Sequence, residues 1–458
     1  MSFETRHDKR PYLQIEFARI LESSEKIDDA IQMYEEILLH PGLQPRAWVL
    51  VRLGRIYSDY REAKKGIPLL EEAVQINEST LEPEHLDRLT SQYALASAYH
   101  VVGEGRKAIV ILEEMVQFTK KIHRKENTNL PASQHLLGSA YILVGEVVKG
   151  IELLEWVMHV EATTMQTDDP YRLCTLHNLA EAYIDTGEVA KGIKMLKEVV
   201  SIRKRIVRAE NVDRLGSEHV LGVAYVKVGE TTKGIQLLEG VVHVQETTTQ
   251  PENRRRLGSL HELGKAYLRT ERVDEAIKLL TDIVQVKRVK LEEDDSSLLY
   301  SIYELGRAHL QAEQANEAIE LLTEVVRINT VKLEEDDPSR LASLYSLAEA
   351  HLHAGKANKA IELLTEVVQI ARVKLEEDDP NRLASLHYLA RAYLDAGQVN
   401  EAIESVTEVV QTKGATLEAD DPSRLKSEQL LAEAVRAREN GLQDATLGQP
   451  SDLTIDPV

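Results

Sequence analysis

Cys174, His177, Glu181 and Asp185 stand at i, i+3, i+7 and i+11, a spacing that brings all four to one face of a single helix. Three chemistries use such groups: a thiol activated by an imidazole, a His–carboxylate metal site, and a His–Glu acid–base pair. Each needs more than the stretch supplies. A nucleophilic thiol needs an oxyanion site, and no Gly-rich turn stands beside Cys174. A metal needs three or four ligands converging at about 2 Å, and packed helices stand about 8 to 10 Å apart. Catalysis by Cys174, His177, Glu181 and Asp185 is therefore the lesser reading, a polar patch in a binding surface is preferred, and no metal or cofactor is expected. Other motifs fail on spacing. "HELGK" at 261–265 lacks the second His of a zinc protease, "LGSAY", "LGSEH" and "LGSLH" are not G-x-S-x-G, and "GEGRKA" at 103–108 is not a phosphate loop.

What must position these residues is written in the whole chain. Its 458 residues carry 55 Lys and Arg against 76 Asp and Glu, a formal charge of -21. The average field repels nucleic acid and acidic membrane surfaces, so neither is expected as a partner. A single cysteine excludes an internal disulfide framework and fits a reducing compartment. No apolar run approaches the roughly 18 residues of a membrane span, and "MSFETRHDKRPYLQIEF" is charged where a signal peptide is apolar. A soluble, cytoplasmic protein is the expectation.

Repetition then removes the usual inference from length to domain count. A small residue followed by Ile recurs from Gly66-Ile67 and Ala108-Ile109 to Ala360-Ile361 and Ala402-Ile403, always in steps of 42. Tyr57, Tyr99, Tyr141, Tyr183, Tyr225, Tyr267 and Tyr393 keep the same phase, with His309 and His351 in the two remaining turns. Leu389, Ala390 and Tyr393 share one helical face, and Ala402, Val406, Val409 and Val410 share another, so each unit holds two amphipathic helices. Gly103, Gly145, Gly187, Gly229, Gly355 and Gly397 break the two helices apart, as left-handed residues at helix ends do. Asp169-Pro170, Asp337-Pro338, Asp379-Pro380 and Asp421-Pro422 begin the first helix with a carboxylate cap. Neither helix buries its stripe alone, so each unit needs its neighbour.

These residues, Leu-Ala or Leu-Gly, then Tyr, then small-Ile, then an apolar pair, resemble the tetratricopeptide repeat. The 42-residue length and the charged "LEEDDP" link are similar to the kinesin light chain variety and to arrays of fungal NACHT and NB-ARC receptors, although no receptor ATPase loop, G-x-x-x-x-G-K-[ST], occurs here. The resemblance implies an all-α fold, a right-handed α-solenoid of antiparallel helix pairs whose first helices line a concave groove for peptides or partner proteins. The expected organisation is a 34-residue-type repeat in 1–43, nine 42-residue repeats in 44–421, a capping helix in 422–440 and a disordered tail in 441–458.

On that resemblance, the position two before each Leu of the first helix faces the groove. It reads Val51, Tyr93, His135, His177, His219, His261, Tyr303, Tyr345, His387 and Gln429. An apolar column follows in Ile142, Ile184, Val226, Leu268, Leu310, Leu352 and Leu394, and a variable charged column in Glu181, Lys265, Arg307, Glu349, Arg391 and Glu433. Rings beside aliphatic chains suit a peptide, and variable charges over a constant frame give specificity. Alternatively, these columns only pack neighbouring first helices together. "LEEDD" at 291–295, 333–337 and 375–379 reads as an acidic ridge, and "RKRIVR" at 203–208 and "KRVK" at 287–290 as cations complementing helix dipoles. The function expected is a non-catalytic interaction scaffold for a peptide or partner protein. Two alternatives stand beside it: an enzyme or accessory protein acting on a small apolar molecule in a fungal biosynthetic pathway, and a receptor-like sensor array without its nucleotide-binding domain.

Overall fold

The computed structural model describes residues 10–23, 26–40, 45–59, 63–121 and 129–447, all of whose regular structure is α-helix, in 21 helices. The chain divides into two compact units, Met1–Gly229 and Glu230–Val458. The first holds α1 (Arg10–Ser23), α2 (Ile27–Leu38), α3 (Arg46–Asp59), α4 (Ala63–Thr80), α5 (Leu86–Val101), α6 (Gly105–Lys121), α7 (Asn129–Leu143), α8 (Val147–Thr164), α9 (Pro170–Asp185), α10 (Val189–Ile206) and α11 (Val212–Lys227). The second holds α12 (Thr231–Thr248), α13 (Arg254–Leu268), α14 (Val273–Lys290), α15 (Ser296–Gln311), α16 (Ala315–Lys332), α17 (Pro338–His353), α18 (Ala357–Lys374), α19 (Pro380–Asp395), α20 (Val399–Thr416) and α21 (Pro422–Leu447). Within each unit consecutive helices pack on one another, and from α3 onward each first helix also touches the next first helix. The division falls inside one 42-residue period, which uniform repetition does not foretell. The helix expected to cap the array at 440 runs seven residues further, to Leu447, and residues 448–458 lie outside the described residues.

Local signals account for the helix ends. Asp169, Asp337, Asp379 and Asp421 each accept from two backbone N–H groups of the helix that follows, and Asn253 and Asp295 do the same without a proline. The turns between paired helices take the left-handed conformation, with Gly187 at φ 90°. Glu271 and Glu313 occupy that same turn position at φ 60° and 59°, so the frame holds even where glycine is missing. The second helix ends in an extended residue whose carbonyl is held by an arginine of the next first helix: Arg88 on Leu81, Arg214 on Val207, Arg256 on Thr249, Arg382 on Leu375 and Arg424 on Leu417, at 3.2 to 3.4 Å.

Small residues allow the two helices of a pair to close. A Cβ on Gly192 would stand 2.6 Å from the Ala180 carbonyl oxygen and 2.6 Å from Ile184 Cγ1, and one on Gly150 would stand 2.5 Å from Ile142 Cγ1. The close approach is thus to the partner's backbone and to the residue after the repeated tyrosine. This corrects the reading of the apolar column. Ile184, Val226 and Leu310 are buried and Ile142 is half-buried; Ile142 and Ile184 pack against the glycines of α8 and α10. Leu310, Leu352 and Leu394 join the core clusters, so these side chains lie inside the stack.

Candidate functional site

The ring column is built into the seams between neighbouring first helices. His135 of α7 reaches α9, its Nδ1 2.9 Å from Thr175 Oγ1 and its Nε2 3.0 Å from Asn178 Nδ2. His177 reaches Ser217 Oγ at 3.1 Å, and His387 reaches Ser427 Oγ at 3.2 Å. Each hydroxyl is met from the preceding second helix. Arg203 Nη1 donates to Ser217 Oγ at 2.5 Å and to the Asp213 carbonyl at 2.6 Å. Lys413 Nζ donates to Ser427 Oγ at 3.0 Å and to the Ser423 carbonyl at 3.1 Å. At the equivalent place Thr175 donates instead to Glu161 Oε1, at 3.1 Å. The pattern repeats with Asn77 on Ser91, Lys287 on Ser301 and Asn329 on Ser343. A buried or half-buried polar group, a hydroxyl and, in three repeats, an imidazole therefore form a node between repeats.

The donors assign the tautomers. Ser217 and Ser427 pass their own hydrogens to the Asp213 and Ser423 carbonyls, so their oxygens accept from Nδ1–H of His177 and His387. Asn178 donates to His135 Nε2, which leaves Nδ1–H to donate to Thr175. Burial pushes His135, His177, His261 and His387 down to about 4. These imidazoles are neutral near pH 7, and both ring nitrogens of His135 and the Nδ1 atoms of His177 and His387 are committed to the frame. His261 is buried against the Tyr300 ring, centroids 4.9 Å apart, and His219 is half-buried. For His135, His177 and His387 the hydrogen bonds to the next first helix support the alternative reading, in which the column packs neighbouring first helices together. Tyr303 accepts from Ser346 Oγ at 3.2 Å, and Tyr345 meets Tyr388 edge-on at 4.9 Å. Lys265 pairs with Glu262 at 3.0 Å, Arg391 with Asp395 at 2.9 Å and Glu433 at 3.2 Å, and exposed Arg307 sits 6.0 Å from the Tyr303 ring centroid.

The four residues on one face of α9 part company. His177 turns into the seam, and its Nε2 is 3.9 Å from Glu181 Oε2, too far for a hydrogen bond. Asp185 pairs with Lys227 at 3.3 Å. Cys174 is exposed, yet desolvation by the surrounding helices pushes its thiol up, which opposes a thiolate nucleophile. Glu181 is accessible as well, and desolvation raises its carboxyl. Tyr93 of α5, 36 % exposed, has its phenol raised by desolvation and then by Tyr171 and Cys174. Among the described residues no three His, Cys, Asp or Glu converge as metal ligands.

The sequence reading missed the hydroxyl column, although Ser91, Ser133, Thr175, Ser217, Ser259, Ser301, Ser343, Ser385 and Ser427 recur every 42 residues. It also left Trp156 unremarked. Among the repeated tyrosines, Tyr57, Tyr99, Tyr141, Tyr183 and Tyr267 each donate to a glutamate of the preceding second helix, and a Lys or Arg lies over each of these rings. These phenols are fixed in the frame.

Tetratricopeptide repeat models match residues 255–330 and 339–413, 303–373, and 175–212. The chain belongs to the tetratricopeptide repeat family. Within it, the chain is similar to the nearly identical repeats of a putative kinesin light chain from Podosopora anserina. One crystal structure of those repeats is 40 % identical, matching 46 % of this chain and 98 % of that one at a TM-score of 0.42. A second is 39 % identical, matching 46 % and 99 % at 0.41. BtubC (BKLC) from P. vanneervenii is 13 % identical, matching 61 % of this chain and 99 % of that one at 0.41. No curated protein matches. Among the described residues no helix is long and apolar enough to cross a membrane.

Proposed function

We propose that the chain is a non-catalytic interaction scaffold that holds a peptide or partner protein against the accessible face of its first helices. The observation that carries this reading is the patch formed by Tyr93, Tyr171, Cys174 and Glu181. Tyr171 is 73 % exposed and Cys174 and Glu181 are also open to solvent, while desolvation shifts Tyr93, Cys174 and Glu181. Tyrosine rings give contact area with a polar tip, and a partly desolvated carboxylate rewards a donor that covers it. An acid–base enzyme would need an imidazole titrating near neutrality, whereas burial holds these well below it.

The chain's one cysteine lies in this patch and serves as a reporter. A tagged chain is used to capture partners from native cytosol, and maleimide labelling of Cys174 is timed with and without the retained protein. Slower labelling in the complex, and loss of the partner with Tyr93→Ala and Glu181→Lys, are expected. A partner that leaves labelling unchanged and survives both substitutions overturns the reading.

A further inference from the structure

The 42-residue frame places an acidic residue at seven of nine equivalent positions on the second helices, Glu72, Glu366 and Glu408 among them. In those three repeats it pairs with an arginine twenty-six residues earlier: Arg46–Glu72 at 2.7 Å, Arg340–Glu366 at 2.8 Å and Arg382–Glu408 at 3.1 Å. In the repeat of α7 and α8 both partners are replaced, by Leu130 and Trp156. There a cavity of about 610 Å³ opens between α6, α7 and α8, lined by Trp156, Leu153, Leu137, Gln134, Glu113 and Glu152.

Three of its groups lack what they are built to hold. Trp156 is 40 % exposed, unusual for so large an apolar surface in a frame that puts a carboxylate there in seven of nine repeats. Gln134 is only 3 % exposed, and its Oε1 has no hydrogen-bond partner, a costly state for a buried acceptor. Its terminal torsion is broad, so a small turn brings that acceptor to the cavity. Glu152 is exposed on the rim. The other charged groups there are engaged: Glu113 accepts from Tyr141, and Lys149 pairs with Glu146 and lies 5.3 Å from the Tyr141 ring centroid.

We propose that this cavity is a receptor for an arginine side chain presented by a partner protein. A guanidinium is flat enough to lie on the Trp156 indole, carries donors for Gln134 Oε1 and the Glu152 carboxylate, and sheds its water more readily than an ammonium. The partner's arginine takes up the role that the frame arginines play in other repeats. The site does not use Tyr93, Tyr171, Cys174 or Glu181, so the labelling experiment above and the one below fail separately.

The chain has two tryptophans, Trp48 and Trp156, so indole-labelled NMR of the full chain gives two reporters, assigned with Trp156→Phe. The probes are acetylated, amidated Gly-Gly-X-Gly-Gly peptides with X as arginine, lysine or citrulline, the last being the neutral analogue of arginine. The Trp156 signal is expected to move saturably with the arginine peptide, about fivefold more weakly with lysine, and not with citrulline, while Trp48 stays still. Gln134→Leu and Glu152→Gln are expected to weaken the arginine peptide by about fivefold or more, and Trp156→Glu, which restores the frame residue, to abolish the response at unchanged helicity. Equal shifts from citrulline and arginine, no movement of Trp156, or unaltered affinity in Glu152→Gln and Gln134→Leu overturns the proposal.

Discussion

The two units share one frame and differ in how their surface charge is tied down. The first carries 29 basic and 34 acidic residues, a formal charge of -5, and the second 26 and 42, a charge of -16. In the second unit the links between repeats are latched: Lys290 to Glu252 at 3.7 Å, Lys332 to Asp294 at 3.0 Å and Lys374 to Asp336 at 2.7 Å, each pair thirty-eight residues apart. Arg288–Glu324 and Arg372–Glu408 add a second row, thirty-six residues apart. In the first unit Asp168 occupies the latch position, but Ile206 stands where the lysine would be. The acidic ridge and the basic residues that look separate in the sequence thus pair with each other across repeats of the second unit. The second unit has spent its charge on its own regularity, and the first has left side chains open.

Acid probes what the units have in common. His135 and His177 in the first, and His261 and His387 in the second, are held by burial near about 4. An unfolded histidine binds a proton near 6.5, so between about 6.5 and 4 the unfolded chain holds more protons and stability falls as pH falls. This is the largest effect expected. Both tryptophans lie in the first unit, so urea unfolding read by fluorescence reports that unit and far-UV circular dichroism reports both; the two midpoints should fall together. A midpoint independent of pH in that window would break the shared-seam account.

Exchange of the small residue sharpens the contrast in packing. Gly192→Ala should cost the first unit about 1 to 3 kcal/mol, because the new Cβ meets the Ala180 carbonyl. Ala318→Gly, at the same position in the second unit, should cost about 1 kcal/mol, because that pair already accommodates a methyl group. Urea midpoints of the two variants decide it, and equal costs would mean that the helix pairs are not differently spaced.

The latch is the smallest effect. Ile206→Lys, facing Asp168, should add about 0.5 kcal/mol to the first unit in low salt and Lys332→Met should remove a similar amount from the second. Both changes should shrink as salt screens exposed charge, and a change that persists in high salt would assign it to the aliphatic contacts of those residues.

Much of the fold was legible because it rests on residue identity in phase: Ala or Gly before Ile, Tyr, the Asp caps and the left-handed glycines. The seam chemistry was less so. Its second-helix column reads Asn77, Glu161, Arg203, Lys287, Asn329 and Lys413, residues that share polarity and nothing else, so no single letter runs through it. Histidine drew notice as a reactive group, but the same ring that can catalyse can also fill a dry seam, and only the neighbouring Ser217 or Thr175 distinguishes the two. The apolar column was misplaced because a few positions along a helix separate one face from the next, here Ile184 in the pair interface from Glu181 in the open, three residues apart. Glu271 and Glu313 show the reverse case, a frame position kept after its signature residue was lost.

The hydroxyl at the centre of each seam has a consequence for how such a chain changes over time. A serine oxygen takes a hydrogen from an amide, a guanidinium or an ammonium, and the equivalent threonine gives one to a carboxylate. One socket therefore accepts neutral, positive and negative plugs without adjustment of the helices around it. Repeats joined through such a socket can be copied, lost or altered in charge one at a time, so the lineage can lengthen its array and retune the surface while every joint still fits.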